Sequence, residues 1–281
     1  GFLNNAVGFQ ALANNTTGNF NNAFGFEALF RNTTGSNNTA VGEEALFNNT
    51  TGRLNTAMGQ SSLYGNTDGI ANTAIGVDAM NANTVADSNT AVGYRALYSN
   101  TTGINNVALG ARSMISNTSG ANNLATGYDA LRLNTTGSRN TALGVQALYA
   151  NLDANNNVGL GYQAMWTNAS AINNTAVGYQ TLLLQTTGNR NVAVGFQAGS
   201  SFASNSNNTF VGNVADASIN GLTNATALGN GAAVNASNKI RLGNTAVTVI
   251  EGQVAYTFPS DGRFKTNVQE DVKGLEFIMK L

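Results

Sequence analysis

The sequence predicts an all-β solenoid built from a 17-residue repeat, and three observations predict it. A glycine recurs at a fixed interval, each interval carries a β-type segment, and each closes in turn chemistry. Self-similarity at a fixed period outranks every other signal, because it decides the architecture. Aligned on the glycine of Asn-Thr-Ala-Val-Gly, the series runs Gly8, Gly25, Gly42, Gly59, Gly76, Gly93, Gly110, Gly127, Gly144, Gly161, Gly178, Gly195, Gly212 and Gly229. Every spacing is 17, and the next comparable glycine, Gly243, follows after 14. No insertion interrupts the series, so each period is one geometric unit stacked on the next.

Residues 38–54 show the unit well. Asn38-Thr39-Ala40-Val41-Gly42 has β-branched residues at alternate positions, which suits a short strand. Glu43 to Phe47 follows and carries the pair Ala45-Leu46. Propensity leaves this stretch open between a second short strand and one helical turn, because Ala and Leu favour helix. Asn49-Thr50-Thr51-Gly52 then closes the unit as a turn. Repeats of two helices need about 34 residues, so this unit is too short for them. Strands stacked at about 4.8 Å per turn give thirteen periods a length of roughly 60–65 Å.

Alternation sends neighbouring strand residues to opposite faces. One face receives Val41 and its equivalents Val7, Phe24, Met58, Ile75, Val92, Leu109, Leu143, Leu160, Val177 and Val194. The other receives Ala40 and Gly42 with their counterparts. A half-solvated strand alternates apolar with polar, whereas this one is apolar on both sides and calls for cover on both. The interior of the coil is one cover. A partner chain is the other, expected on the Ala and Gly side, where small residues let backbones approach.

Two asparagine columns run through the repeat. One includes Asn38, Asn55, Asn72 and Asn89, the other Asn49, Asn66, Asn83 and Asn100. An amide donates and accepts, so stacked asparagines can bond above and below and lock tight corners. Asn also tolerates left-handed backbone. Five Asn-Thr-Thr triplets, at Asn15, Asn32, Asn49, Asn100 and Asn134, match the N-glycosylation pattern, which an Asn/Thr repeat produces automatically. The Thr-Thr pairs raise an alternative, an ice- or glycan-binding face, but that column is broken by Asp68, Val85, Ser119 and Asp153.

Charged residues make up only 10% of the chain and the net charge is −1, so no basic stripe is available for nucleic acid. With neither His nor Cys, the usual zinc ligands and His-based triads are absent, and no cofactor is expected. No apolar run is long enough for a membrane-spanning helix. Gly1 falls inside a period, which reads as a piece of a longer chain.

After Gly195 the second half of the unit changes, and residues 199–243 lose both the Ala-Leu pair and the Asn-Thr-Thr-Gly turn. The boundaries expected are 1–198 for the regular shaft, 199–243 for modified turns and 244–281 for a junction. Residues 230–243 resemble a turn of the β-roll in heads of trimeric autotransporter adhesins, in which three parallel rolls pack side by side. Asn238-Lys239-Ile240-Arg241-Leu242-Gly243, followed by Ser260-Asp261-Gly262-Arg263-Phe264-Lys265, is similar to the start of the endosialidase-type intramolecular chaperone domain of phage tail fibres and bacterial surface fibres. The resemblance covers residues 238–281 and stops before that family's helical body. It implies a homotrimer of parallel chains and a single self-cleavage at Ser260–Asp261, with Ser260 as nucleophile and Lys265 close by. The resulting expectation is a structural shaft rather than an enzyme. It would lie on a cell or virion surface and hold out a receptor- or glycan-binding element carried elsewhere.

Overall fold

A computed structural model of the chain describes residues 1–253. The site residues Ser260, Asp261 and Lys265 lie outside the described residues. Residues Gly1–Ala246 form one unit, a parallel β-solenoid. Its main sheet takes one three-residue strand from each turn: β1 (Asn5–Val7), β2 (Asn22–Phe24), β3 (Thr39–Val41), β4 (Thr56–Met58), β5 (Thr73–Ile75), β6 (Thr90–Val92), β7 (Val107–Leu109), β8 (Leu124–Thr126), β9 (Thr141–Leu143), β10 (Val158–Leu160), β11 (Thr175–Val177), β12 (Val192–Val194), β13 (Thr209–Val211), β15 (Thr226–Leu228) and β17 (Ile240–Leu242). Two short strands, β14 (Asp216–Ala217) and β16 (Ala233–Val234), pair separately. Register advances by one period per strand, so Ala40 pairs with Ala57 and Ala57 with Ala74. The last step is shorter, with Thr226 opposite Ile240.

The Ala-Leu segment is neither strand nor helix, and no helix occurs among the described residues. It is a run of turns with alternating backbone sign. Glu44 and Leu46 have φ of 54° and 52°. The Ala45 N–H donates to the Gly42 carbonyl (3.4 Å) and the Phe47 N–H to that of Glu44 (3.3 Å), while the Leu46 N–H reaches the Ser62 carbonyl one turn on (3.0 Å). Left-handed backbone costs a residue such as Leu about 1–2 kcal/mol. Full burial of its side chain returns about 2 kcal/mol, and every turn repeats the trade. Gly42 is obligatory for a different reason. Its φ is +136°, and a Cβ there would lie 2.6 Å from the Gly59 carbonyl oxygen.

The inward face corrects the expectation for the strand. Ala40, Ala45 and Leu46 are fully buried, as are their equivalents in the other regular turns after the first, so the alanines face the interior and the Val41 column faces out. The reason is width. Leu46, Leu63, Met80 and Leu97 fill the centre of a narrow coil, leaving room for only a methyl from the strand and another from the turn. Small residues serve the coil's own close packing and do not mark a partner's approach.

Candidate functional site on the outward sheet face

Because the interior takes a small residue, nearly always alanine, from each strand of the regular turns, the larger strand side chains are left outside. Val7, Phe24, Val41, Met58, Ile75, Leu109, Leu143, Val194 and Leu228 are exposed, from 36% at Val41 to 60% at Val7. Thr126 is the one polar residue in this column between Val7 and Leu228. Two residues further along each turn, just past the obligatory glycine, a second apolar column stands beside it. It holds Phe9, Phe26, Val77, Tyr94, Tyr128, Val145, Tyr162, Tyr179 and Phe196, all exposed, is interrupted by Glu43, Gln60 and Ala111, and gives way to Asn213 and Asn230. The sequence reading passed over this column, although alignment on the glycine places it at a constant offset. Its rings stack along the coil: Phe9 on Phe26 at 5.5 Å, Tyr162 on Tyr179 at 5.3 Å and Tyr179 on Phe196 at 5.1 Å between centroids. Stacking occupies the ring faces, so the column presents mainly ring edges outward.

Charge borders this face and is satisfied within the chain. Arg95 pairs with Asp78 at 3.1 Å, and Arg112 with Asp129 at 2.6 Å. The two guanidinium groups also lie over Tyr94 and Tyr128. The hydrogen bond that Arg95 donates to Asp78 raises the Arg95 pKa, as those that Arg112 donates to Asp129 raise the Arg112 pKa. Further along, Gln146, Gln163, Gln180 and Gln197 form an amide ladder with steps of 2.8, 2.8 and 2.9 Å.

The asparagine columns sit inside the corners. Asn49, Asn66, Asn83 and Asn100 each donate from Nδ2 to the Oδ1 of the asparagine one turn back, at 2.7, 2.8, 2.8 and 3.1 Å. Asn38, Asn55, Asn72 and Asn89 use Oδ1 differently, accepting the backbone N–H of the next asparagine in their column. Asn55 N–H reaches Asn38 Oδ1 at 3.0 Å, and Asn72 N–H reaches Asn55 Oδ1 at 2.9 Å. Both columns converge on one carbonyl per turn. Gly52 accepts Asn38 Nδ2 at 2.8 Å and Asn49 Nδ2 at 3.0 Å. The buried carbonyls of a tight corner thus get their donors from side chains. Asn32, Asn49, Asn100 and Asn134, four of the glycosylation-pattern asparagines, are fully buried in this network. Gly59, Gly76 and Gly93 repeat the Gly42 geometry, with φ of 136°, 132° and 133°.

The first threonine of each pair is also committed. Thr33 and Thr118 donate their hydroxyls to the carbonyls of Thr50 and Thr135, one turn on, at 3.0 and 3.1 Å. At the second position Asp68 accepts the Thr51 hydroxyl at 2.5 Å, the main cause of its lowered pKa. No cluster among the described residues is placed to hold a metal ion, and these residues form no helix long and apolar enough to cross a membrane. No protein-family model and no curated protein matches the chain. What the arrangement offers chemically is a long apolar surface of constant register.

Proposed function

We propose that this chain is the shaft of an extracellular homotrimeric fibre that holds a binding element away from a cell or virion surface. One observation carries the reading: the column of apolar strand side chains that follows the main sheet from turn to turn on its outward face, with a second, interrupted apolar column beside it. Contiguous apolar patches of more than a few hundred Å² are rare on soluble monomers and mark interaction surfaces. Its strand column is apolar at every turn from Val7 to Leu228 except at Thr126, and the second column adds a large apolar side chain at nine of these turns. A second copy running in the same direction therefore meets like with like at every step, and three such faces close around one axis without leaving an open edge. The low charge removes a source of repulsion between copies. The motif at Ser260–Lys265, similar to a registering chaperone domain, supports the same reading, since identical turns slip easily and parallel pairing is slow.

Sedimentation of the full chain tests the proposal. A trimer is expected, and Val92→Asp with Leu109→Asp, both on the outward face, should convert it to monomer while the circular dichroism of the coil is unchanged. A monomeric parent chain overturns the reading.

A further inference from the structure

Among the many asparagines of this chain, only two precede a glycine within residues 1–253: Asn220 and Asn230. An Asn-Gly pair has an intrinsic reaction open to it. The glycine nitrogen reaches the asparagine Cγ without a side chain in the way, provided that its N–H is free and the segment has room to turn. The coil grants these conditions to one pair and denies them to the other. The Gly231 N–H donates to the Asn213 carbonyl at 2.8 Å, which holds that nitrogen in the inter-turn ladder. The Gly221 N–H donates to no described residue, and a Cβ on Gly221 would meet nothing within 4 Å. The ladder asparagines are blocked twice, by burial and by a following Thr whose N–H is engaged, as Thr50 N–H is with the Thr67 carbonyl at 2.9 Å.

Asn220 has a second feature. It is exposed, yet its Oδ1 accepts two hydrogen bonds from one residue, the Ser204 N–H at 3.2 Å and the Ser204 hydroxyl at 3.0 Å. Negative charge develops on that oxygen when a nitrogen adds to Cγ. Two donors already aimed at it stabilise the transition state more than the resting amide.

We propose that Asn220–Gly221 is a self-modification site, at which the chain converts its own asparagine to aspartyl and isoaspartyl forms through a cyclic imide. The Gly221 nitrogen bonds to Cγ, the Cγ–Nδ2 bond breaks, and the Gly221 proton leaves with Nδ2 as ammonia. Water then opens one of the two imide C–N bonds. Either product adds a negative charge. The isoaspartyl product also lengthens the main chain between β14 and β15 by one methylene. That strains the step anchored by the Leu222 N–H on Asn205 Oδ1 at 2.8 Å.

Peptide mass mapping of the folded full chain, held in mildly alkaline buffer, tests the site. Asn220 should convert about tenfold faster than Asn230, and the two should become alike in denaturant. Ser204→Ala, which keeps the backbone donor and removes the hydroxyl, should slow Asn220 about threefold and leave Asn230 unchanged. Equal rates at the two asparagines in the folded chain overturn the site. An unchanged Asn220 rate in a folded Ser204→Ala variant overturns the assigned role of the donors.

Discussion

The turns before Gly195 and those after it fill the same coil with different side chains. In the regular turns the strand gives an alanine and the turn segment gives Leu or Met, as Ala176 and Leu182 do. Over the next two turns the sizes are exchanged. Gly199 stands in the leucine column one turn on, beside Ala193, and Phe210 stands in the alanine column the turn after, fully buried. A Cβ on Gly199 would lie 2.7 Å from both Leu182 Cδ2 and Phe210 Cδ2, so the ring has taken the space a leucine occupies elsewhere. The next residue in that column is Asp216, and the last step shortens to 14 residues. Through all of this the main sheet runs on, β12 to β13 to β15 to β17, without a break. Filling and turn segment are replaceable, whereas the sheet and its outward apolar column persist. That contrast supports the proposed role of the outward face.

The size exchange should break hardest. Phe210→Ala leaves a cavity and is expected to cost about 3–5 kcal/mol. Gly199→Leu alone overpacks against the ring, at about 1–3 kcal/mol. Together they put a leucine into the space the ring vacates, and the double variant should lose less than about 1 kcal/mol, a strong positive coupling. The left-handed backbone at Gly199 does not forbid leucine, since its φ of 62° is near the 46° of Leu182. Hydrogen exchange of the amides in residues 196–216 reads this locally, which a repeat of nearest-neighbour turns requires. Additive losses would mean that the two positions do not share one space.

A second difference between the regions lies in the corner ladder. In the regular turns each rung is closed: Asn100 Nδ2 reaches Asn83 Oδ1 at 3.1 Å and Gly103 O at 2.9 Å, and its own Oδ1 accepts Asn117 Nδ2 at 2.8 Å. The ladder stops at Asn168, whose successor is Gln185. The longer amide turns instead to the Asn205 carbonyl at 3.0 Å, and both Asn168 Oδ1 and Gln185 Oε1 are left buried without a partner. Asn100→Ala should therefore cost about 2–3 kcal/mol, because it strands buried groups on both sides. Gln185→Asn should stabilise by about 1 kcal/mol, by offering a donor to Asn168. Equal, small effects at the two positions would show that the ladder carries little of the stability.

Much of this was legible in the residues. The 17-residue glycine spacing places the strands of the main sheet, and every buried asparagine except Asn205 falls on one of the two columns the repeat displays. Two things were not legible, for physical reasons. Hydrophobicity ranks Val above Ala, so it argues for valine inside. The deciding quantity is the width of the coil, which is known only once Leu46 is seen to fill its centre. Likewise the propensities of Ala45 and Leu46 point to helix or strand, because left-handed leucine is costly in isolation. Here the stacked neighbours supply the hydrogen bonds, from Leu46 N–H to Ser62 and Glu44 N–H to Phe26, that make it worthwhile. The second apolar column, by contrast, could have been read from the alignment alone.

Asp216 gives the smallest effect and the sharpest sign. It occupies a core column that holds Leu or Met in the regular turns, and burial raises its pKa above the ordinary 3.8. The Ser201 and Ala217 N–H groups, at 3.1 and 2.8 Å, only partly offset the lost hydration. With a raised folded pKa, the folded chain holds this proton more tightly than the unfolded chain does. The group thus adds no penalty below its unfolded pKa, and destabilises progressively as pH rises through the folded one. Asp68 works in the opposite direction, its lowered pKa favouring the fold at higher pH, so the whole-chain profile mixes the two. The difference between the parent and Asp216→Asn isolates the first. The variant lacks the acid-side gain, so hydrogen-exchange protection around β14 should increase on acidification in the parent and stay flat in Asp216→Asn. A parent that loses protection there as pH falls from neutral would mean that the Ser201 and Ala217 donors outweigh burial. The irregular turns would then hold their carboxylate as firmly as the regular turns hold leucine.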